Sequence, residues 1–564
     1  MDNDDHAAAY VKEPLRVGDA TEVQWQESTD VLVVGYGGAG VCTALEARAE
    51  GVDVLAIDRF DGGGATTLSG GIYYGGGTPY QKAGGWDDNA EEMYKYLKKE
   101  IGDVVRDDTL RRFCDQSSDN MAWLTSHGVG FGSNVYEGKR SYPPKGYDIY
   151  YSGNEFSPDF ASLARPAPRG HKVAGPGYTG NTLFDTLAGS ARSRGVRLQS
   201  HTLVDRLVVD AGNRVIGVEA LRIEPGSDAW RAHRKLIAKV NAWQRFLEKP
   251  ALAAAAKARA MEQMHGKPVF IRARKAVVLT TGSFAFNREM VRHYAPKFAD
   301  AMALGTISCD GSGVVMGKGV GAALGRMDSV TAWRSISPPK QFVQGVVINT
   351  EGRRFVAEDV YLGRLGHELA QQAGQRAWVI IDSRAYLSSF KETIPRFGEE
   401  GYLEFRGPLL LNLLFNSTRG KTLGRLAAKL GVDPAGLEAE VADYNAGISA
   451  GRDRLKKKPG NCQAIGAGPY WAIDISVGSK KFVCPTIPMG GLMVDEDSGQ
   501  VLDISGAPIA GLFAAGRAAV GIPSGFYVSG SSIADCVFSG RRAGHHAAIA
   551  SAGEADGGAR AASA

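Results

Sequence analysis

The sequence predicts an α/β protein with a doubly wound, mainly parallel sheet and a second, α+β domain inserted into it. Two observations support this fold class. Near the N-terminus a buried strand, a G-x-G-x-x-G turn and a helix follow one another. The segments that complete this first sheet lie far apart, on both sides of a stretch with a different character. With 564 residues, the chain is also too long for one hydrophobic core, so we expect two domains.

The first element runs from Thr29 to Asp58. Residues 30–34 form a short β-branched run, typical of a strand buried on both faces. A helical pattern and a second strand, residues 52–57, follow the glycine turn. Such glycines let the backbone approach a pyrophosphate at a helix N-terminus, and an acid at the end of the second strand can bind ribose hydroxyls. This order of elements predicts a dinucleotide site; the alternative is a glycine-rich turn in another kind of α/β unit.

The composition excludes several classes of protein. Hydrophobic residues make up 44% and charged residues 22%, as in ordinary globular proteins, and a net charge of +4 is too small to indicate a nucleic-acid partner. The six cysteines form no C-x-x-C pair, so we expect no metal site. No apolar stretch is long enough to span a membrane, and the acidic N-terminus does not resemble a signal peptide. We therefore expect a cytoplasmic protein.

A second glycine-rich loop, residues 61–72, carries threonine and serine hydroxyls. Its amides and hydroxyls can line phosphates and the edge of a flavin, which favours FAD over a nicotinamide cofactor; the alternative is a flexible surface loop. We expect cofactor contacts from the glycine motif, the acidic strand end and this loop: Gly35, Gly37, Gly38, Ala39, Gly40, Asp58, Arg59, Thr66, Thr67, Ser69, Gly70 and Gly71.

The rest of the first domain is predicted from shorter patterns. Residues 87–130 read as helical, and residues 131–180 as irregular surface whose tyrosines serve packing. A helix at 182–194 precedes strands at 196–200, 204–210, 215–220 and 271–279, which complete the sheet. We expect further cofactor contacts after these strands and at an Asp-Gly-x-Gly turn that opens a helix: Leu203, Val204, Thr281, Gly282 and Asp310.

A helical stretch, residues 222–267, interrupts these strands. Its apolar side chains fall on one side, with arginine and lysine alternating around them: Trp230, Leu236, Ile237, Val240, Trp243, Phe246 and Leu247. Basic residues beside an apolar face suit a helix lying on an anionic membrane, here through 226–266 at the inner face. The alternative is packing on the same domain or on another subunit.

The character of the chain suggests its boundaries. We expect a loose polar arm at 1–28, the first part of the FAD-binding domain at 29–345, a cap domain at 346–480, a return segment at 481–548 and a disordered tail at 549–564. The return segment places a strand end, a loop and a helix N-terminus together. Such a helix can direct N–H groups at an electron-rich ring, so we expect contacts from Gly516, Arg517, Ser531, Ser532 and Ile533.

Taken together, the two ends, the Thr280-Thr281-Gly282 strand end, the cap insertion and the Gly490-Gly491-Leu492 return resemble the fumarate reductase/succinate dehydrogenase flavoprotein family. The resemblance covers nearly the whole chain except 222–267 and the termini. It implies a Rossmann-like FAD-binding domain with an inserted cap, or catalytic, domain, and a substrate held between the isoalloxazine and the cap. Covalent members carry a histidine just before the second glycine loop. Here Gly64 and Ala65 stand there, so the resemblance implies non-covalent FAD.

The departures from this family narrow the substrate. Dicarboxylate-reducing members carry a His-x-x-Arg-type element in the C-terminal loop and an arginine in the cap, and both are missing here. Without these cations a dicarboxylate would be poorly held, whereas tyrosines in an apolar pocket suit a neutral ketone. The Tyr-x-Ser-Gly-x-Ser pattern that begins at Tyr527, with residues 540–544 behind it, resembles 3-ketosteroid Δ4-(5α)-dehydrogenases.

That resemblance implies a role for each of three residues. Tyr527 hydrogen-bonds the C3 carbonyl and stabilises the enolate, Ser529 abstracts a C4 proton, and Tyr361 assists it and relays the proton. Flavin N5 takes the C5 hydride, and an external electron acceptor reoxidises the flavin. The chemistry is consistent, because a donor on a ketone acidifies the neighbouring C–H and a serine base needs a relay partner.

Three alternatives stay open. A 3-ketosteroid Δ1-dehydrogenase shares the fold, but those members use a further tyrosine from the early helical region that this sequence does not single out. An enoate reductase of the fumarate reductase type would need Arg364 or His367 in place of the missing cap arginine. A flavin-binding membrane or assembly protein would depend on 222–267 rather than on turnover, and the intact Tyr527 and Ser529 count against it.

Overall fold

The computed structural model describes residues 10–244, 248–394 and 402–551. Its main sheet is parallel through the glycine-motif strand and antiparallel at one side, as the α/β prediction requires. In sheet order its strands are Leu15–Arg16, Thr202–Val209, Val215–Ile223, Gly266–Leu279, Glu27–Val34, Val54–Ile57 and Arg197–Gln199, with Pro508–Ala514 beside Gly266–Leu279 and Gln500–Leu502 beside Pro508–Ala514. The predicted fold class is confirmed.

Helices cover the sheet and build most of the cap. In chain order they are Gly38–Ala49, Pro79–Ala83, Ala90–Ile101, Asp107–Asp115, Ser117–Ser126, Pro158–Ala161, Gly180–Ser193, Asp228–Trp243, Glu248–His265, Arg288–Tyr294, Ser312–Gly319, Lys340–Gln344, Leu362–Ala370, Ser383–Ser389, Tyr402–Phe415, Leu423–Leu430, Pro434–Ser449 and Ser531–Ile549.

The last helix, Ser531–Ile549, packs closely on the glycine-motif helix, Gly38–Ala49. A Cβ on Gly540 would lie 2.8 Å from the Ala39 carbonyl oxygen, and one on Gly544 would lie 2.4 Å from that of Thr43. Glycine is therefore required at both positions for the two backbones to approach this closely. This packing brings the C-terminal loop before Ser531 next to the glycine motif.

A second, antiparallel sheet is built from the strands Val346–Ile348, Trp378–Asp382, Tyr470–Asp474 and Ser417–Gly420. These strands all fall inside the range predicted for the cap. Two small sheets join the two parts, one of Met302–Ala303, Pro485–Pro488 and Val330–Ala332, the other of Leu324–Gly325 and Gly491–Leu492. The predicted domain limits stay a prediction.

The prediction of irregular surface at 131–180 is wrong. The strands Val135–Lys139, Ile149–Tyr151 and Gly170–Lys172 form a four-stranded sheet with Ile72–Tyr74. Ile149, Tyr150 and Tyr151 are all buried. Strands of three to five residues are too short to show an alternating pattern, so glycine and proline dominated the sequence signal.

The described part of the N-terminal arm is not loose. Leu15–Arg16 pairs in parallel with Val208 and Val209 at the edge of the main sheet. The side chain of Tyr10 is 8% exposed, and its hydroxyl donates to Asp310 Oδ2 at 2.6 Å. A two-residue strand carries no periodicity, so the sequence could not indicate this docking. The tail beyond residue 551 lies outside the described residues.

The insertion at 222–267 forms two helices, Asp228–Trp243 and Glu248–His265, at the end of the hairpin that joins Val215–Ile223 to Gly266–Leu279. Ile237 and Val240 of the proposed membrane face are completely buried inside the protein, while Trp230, Leu236 and Trp243 are half-buried. Phe246 and Leu247 lie outside the described residues. Much of the apolar side is thus used for packing on the same domain, which is the alternative that the sequence left open. Within the described ranges, every helix is too short or too polar to cross a bilayer.

Candidate active site

The glycine motif forms an open cradle between strand and helix. Gly35 has φ of +93°, and a Cβ there would lie 2.8 Å from the Thr280 carbonyl oxygen. A Cβ on Gly40 would lie 2.1 Å from the Gly35 carbonyl oxygen, so Gly40 serves the packing of the turn. A Cβ on Gly37, in contrast, would meet nothing closer than 3.8 Å. The space beside Gly37 is therefore free for a ligand to approach the backbone.

A cavity lies beside this cradle, at the carboxyl ends of Glu27–Val34 and Val54–Ile57. Many of the predicted cofactor residues line it: Gly35, Gly37, Gly38, Ala39, Asp58, Arg59, Thr66, Leu203, Val204, Thr281, Gly282, Asp310 and Arg517. Tyr10, Thr306 and Ser308 also line it and had no sequence signal. Ligands of open α/β sheets bind at this edge of the strands.

The cavity wall offers unused hydrogen-bonding capacity. Thr281 Oγ1 is buried and has no hydrogen-bond partner in the part of the chain that the structure describes. A buried hydroxyl of this kind is normally satisfied, so its position in the wall suits a polar ligand. Together with the open backbone at Gly37, the wall fits a dinucleotide such as FAD.

Asp58 lies in the cavity wall and is already engaged by the backbone. Its two carboxylate oxygens accept the N–H groups of Tyr36 and Phe60, each at 2.8 Å. Burial raises the pKa of the Asp58 carboxyl, and these N–H groups oppose the shift. A carboxylate has further lone pairs, so Asp58 can tie the two strand ends together and still accept a ribose hydroxyl.

The second glycine loop contributes mainly through Thr66. The Gly38 N–H donates to Thr66 Oγ1 at 3.1 Å, at the first residue of the glycine-motif helix. The other predicted members of this loop do not line the cavity. Thr67 Oγ1 bonds the Gly64 carbonyl, Ser69 Oγ bonds that of Thr66, the Gly70 carbonyl accepts from Tyr142, and Gly71 adopts φ of +69°. These residues shape the loop that holds Thr66.

In the closing segment, Arg517 lines the cavity and its neighbours support it. A Cβ on Gly516 would lie 2.7 Å from that of Ala39, so glycine lets this strand end meet the motif helix. Ser531 is buried, and its hydroxyl donates to the Val528 carbonyl at 2.7 Å. Ser531, Ser532 and Ile533 form the first turn of the last helix and do not line the cavity.

The three predicted catalytic residues converge where the cap meets the C-terminal loop. Tyr361 precedes the cap helix Leu362–Ala370, and its N–H donates to Asn154 Oδ1 at 2.8 Å. A Cβ on Gly363 would lie 2.7 Å from the Tyr361 ring and 3.5 Å from the Tyr527 carbonyl oxygen. This glycine therefore lets the cap helix and the C-terminal loop meet.

A mostly apolar wall surrounds Tyr527. Its ring centroid lies 5.1 Å from that of Trp333, and Ile487, Met489 and Leu304 pack around it. Burial raises the pKa of Tyr527 to about 12, and the N–H of Gly530 and the charge of Arg517 moderate the shift. Tyr527 is therefore a protonated hydrogen-bond donor at neutral pH in a pocket suited to a neutral substrate.

Tyr150 is the functional candidate that sequence reasoning missed. Its hydroxyl lies 3.2 Å from Ser529 Oγ, and its side chain is fully buried. Burial raises the pKa of both Tyr150 and Tyr361, and proximity to Tyr527 raises each further. Nothing in the sequence separates Tyr150 from the other tyrosines of this region, because its contact with Ser529 joins residues far apart in the chain.

The cap cations proposed for a reductase are poorly suited to hold a dicarboxylate. Arg364 lies over the Phe526 ring at 5.3 Å and pairs with Glu368 at 3.5 Å. Burial lowers the pKa of His367, which favours its neutral form. Across the described ranges, no group of three or more His, Cys, Asp or Glu side chains is arranged to hold a metal ion.

Comparisons with known proteins agree with this geometry. The FAD binding domain family matches residues 30–533. A 3-oxo-5-alpha-steroid 4-dehydrogenase from Comamonas testosteroni is 37% identical over 90% of this chain and 96% of its own length. A 3-oxosteroid 1-dehydrogenase from Mycolicibacterium smegmatis is 23% identical over 86% and 91%.

Among solved structures, a 3-ketosteroid-delta4-(5alpha)-dehydrogenase from Rhodococcus jostii RHA1, in complex with 4-androstene-3,17-dione, superposes with a TM-score of 0.79. It is 32% identical, and the match covers 95% of this chain and 100% of that one. The similarity therefore extends over both parts of the fold and over the region where Tyr150, Tyr361, Tyr527 and Ser529 meet.

Proposed function

This chain belongs to the FAD binding domain family, and from that premise we propose that it is an FAD-dependent oxidoreductase that introduces the C4–C5 double bond of a 3-ketosteroid. The observation that carries the proposal is the hydroxyl pair Ser529–Tyr150, at 3.2 Å, beside the buried donor Tyr527. A similar relative that acts on 5α-steroids, 37% identical over 90% of this chain, supports the same reaction.

The residues divide the reaction between them. Tyr527 donates to the C3 carbonyl oxygen and stabilises the negative charge that develops there. Ser529 removes a proton from C4, which that polarised carbonyl makes acidic, and passes its own proton to Tyr150. Tyr361 lies beside them, although no hydrogen bond joins it to Ser529 within the described part of the chain. Bound FAD supplies the acceptor for the hydride that leaves C5.

Two further parts of the proposal concern partners. Each turnover leaves two electrons on the cofactor, so an external electron acceptor has to remove them. The membrane contact expected at 226–266 is not carried into this proposal, because Ile237 and Val240, which would enter the bilayer, are buried in the protein.

Product analysis tests the proposal against its rivals. Purified protein with an artificial electron acceptor should convert a saturated 5α-3-ketosteroid into its 4-ene product, identified by NMR. A 1-ene product would indicate the Δ1 reaction. Reduction of a 4-ene-3-ketone or of fumarate by the chemically reduced protein, without any oxidation of 5α-3-ketosteroids, would instead indicate a reductase.

Replacing Tyr150 by phenylalanine should lower kcat about tenfold or more, because Ser529 loses the partner that accepts its proton. The matched control is Tyr151→Phe, on the same strand, whose buried hydroxyl has no hydrogen-bond partner among the described residues. The measurements are kcat, KM and the solvent deuterium isotope effect on kcat. Equal rates and isotope effects in the two variants would remove Tyr150 from the relay.

FAD should leave the protein on acid or heat treatment. The residues just before the second glycine loop are Gly64 and Ala65, which offer no side chain for a covalent bond to the flavin. Precipitating the protein and measuring flavin absorbance in the supernatant checks this expectation. Flavin that stays with the precipitate after denaturation would contradict it.

A further inference from the structure

We infer that the helical insertion, together with Tyr10, forms a clasp over the adenosine half of the FAD site and sets how tightly FAD is retained. The clasp consists of Tyr10, Arg59, Glu262 and Asp310, and of the apolar contacts that the two insertion helices make beside them. The inference rests on FAD binding and is independent of the substrate.

The charged part of the clasp joins the insertion to the strand end that carries Asp58. Arg59, the next residue, donates through Nε and Nη2 to the two oxygens of Glu262, at 3.0 and 2.9 Å. The Glu262 side chain is 3% exposed and that of Arg59 14%. Such a bidentate, largely buried pair fixes the guanidinium in one orientation. Because Asp58 occupies the position that binds ribose in this motif, the clasp lies at the adenosine end.

Tyr10 closes the same end from the N-terminal side. Its hydroxyl donates to Asp310 Oδ2 at 2.6 Å, and the same oxygen accepts from Arg59 Nη1 at 3.2 Å. Two guanidinium groups flank the Tyr10 ring, Arg59 at 5.3 Å and Arg259 of the insertion at 4.4 Å. Tyr10, Arg59 and Asp310 all line the dinucleotide cavity, so their contacts act on its wall directly.

Apolar packing ties the insertion to two loops of the cavity. Ile237 and Ala258 pack on Phe60, directly after Arg59. Val240 and Ala254 pack on Ile307, and the Ile307 N–H donates to Gln244 Oε1 at 3.1 Å.

Ile307 lies between Thr306 and Ser308, which line the cavity. The insertion therefore braces the loops at 58–61 and 306–310, which are far apart in sequence. Loops held in place before a ligand binds cost less ordering entropy on binding, which gives tighter retention.

The test measures FAD release from the holoenzyme after dilution, followed by flavin fluorescence, with no steroid present. Glu262→Gln keeps the side-chain shape but removes the charge that pairs with Arg59, and Tyr10→Ala removes the closing ring. Each should release FAD about tenfold faster than wild type. The matched control is Arg231→Gln, on the outer face of the same insertion, where Arg231 pairs with Asp228 at 2.6 Å. It should release FAD at the wild-type rate.

A second readout separates a clasp from ordinary packing. Since a ligand stabilises a protein in proportion to the logarithm of its concentration over Kd, clasp variants should lower the Tm of the holoenzyme more than that of the apoprotein. Equal losses of Tm in both forms, with wild-type release rates, would overturn the inference. If Glu262→Gln does not fold, Tyr10→Phe decides, because it removes only the hydroxyl bonded to Asp310. Wild-type release from Tyr10→Phe and Tyr10→Ala would also end it. Steroid oxidation is not measured here, so failure of the clasp and failure of the proposed reaction are distinguishable.

Discussion

Replacing Tyr527 by phenylalanine is expected to lower kcat by about 10²–10³-fold, which is the usual cost of losing one oxyanion donor. The ring remains, so its packing on Trp333, Ile487 and Met489 is kept. What is lost is a hydroxyl whose pKa of about 12 keeps it protonated at neutral pH. Initial rates with a 5α-3-ketosteroid and an artificial acceptor measure the effect.

Two observations make the Tyr527 result interpretable. FAD content and Tm should equal those of the wild type, because the substitution changes no backbone contact. Tyr151→Phe, whose buried hydroxyl lacks a partner in the described residues, controls for the removal of a tyrosine hydroxyl as such. A Tyr527→Phe variant with wild-type kcat would show that the C3 carbonyl is polarised by another group.

Replacing Ser529 by alanine should be at least as severe, with a loss on the order of 10³-fold in kcat, because the C4 proton then has no base. Ser529 is half-buried and its hydroxyl faces that of Tyr150 at 3.2 Å. The variant should still bind the steroid, which the perturbation of the flavin spectrum on titration measures.

Proton exchange separates the role of Ser529 from that of Tyr527 and from the redox step. In D2O the wild type should exchange C4 protons of a bound 3-ketosteroid for deuterium, detected by mass spectrometry. Ser529→Ala should abolish this exchange. Continued exchange in the alanine variant would place the base elsewhere, and Tyr150 or Tyr361 would then be the next residue to replace.

The parts of the fold that could be predicted are those with strong local patterns. The strand at residues 30–34 is uniformly apolar, and the glycines that follow it take the positions where the backbone turns or approaches closely, as Gly35 and Gly40 do. The order of strand, turn, helix and acid is local, so it predicts the dinucleotide site without knowledge of the rest. The Asp-Gly-x-Gly turn likewise opens the helix Ser312–Gly319.

The parts that could not be predicted depend on contacts between distant residues. Ile237 and Val240 form the same apolar stripe whether it meets a bilayer or the protein. Their partners, Phe60 and Ile307, are not visible from the stripe itself. Tyr150 lies on a strand of three residues, and its partner Ser529 follows 379 positions later.

The catalytic roles of Tyr527, Ser529 and Tyr361 came from a resemblance and not from spacing, and they stay predictions. What the structure adds is proximity: Gly363 lets the Tyr361 ring approach the Tyr527 loop, and Tyr150 supplies the hydroxyl next to Ser529. The loop at residues 64–71 illustrates the opposite case. Its hydroxyls read as cofactor ligands in the sequence, but of its predicted contacts only Thr66 lines the cavity.

The most direct test of the central claim, C4–C5 oxidation of a 3-ketosteroid by bound FAD, is anaerobic stopped-flow mixing of the purified holoenzyme with a 5α-3-ketosteroid. The claim predicts rapid loss of the oxidised flavin absorbance, slower with substrate deuterated at C5, and no such loss with a 4-ene-3-ketosteroid. Flavin that stays oxidised with the 5α-3-ketosteroid and bleaches with the 4-ene-3-ketosteroid would contradict it.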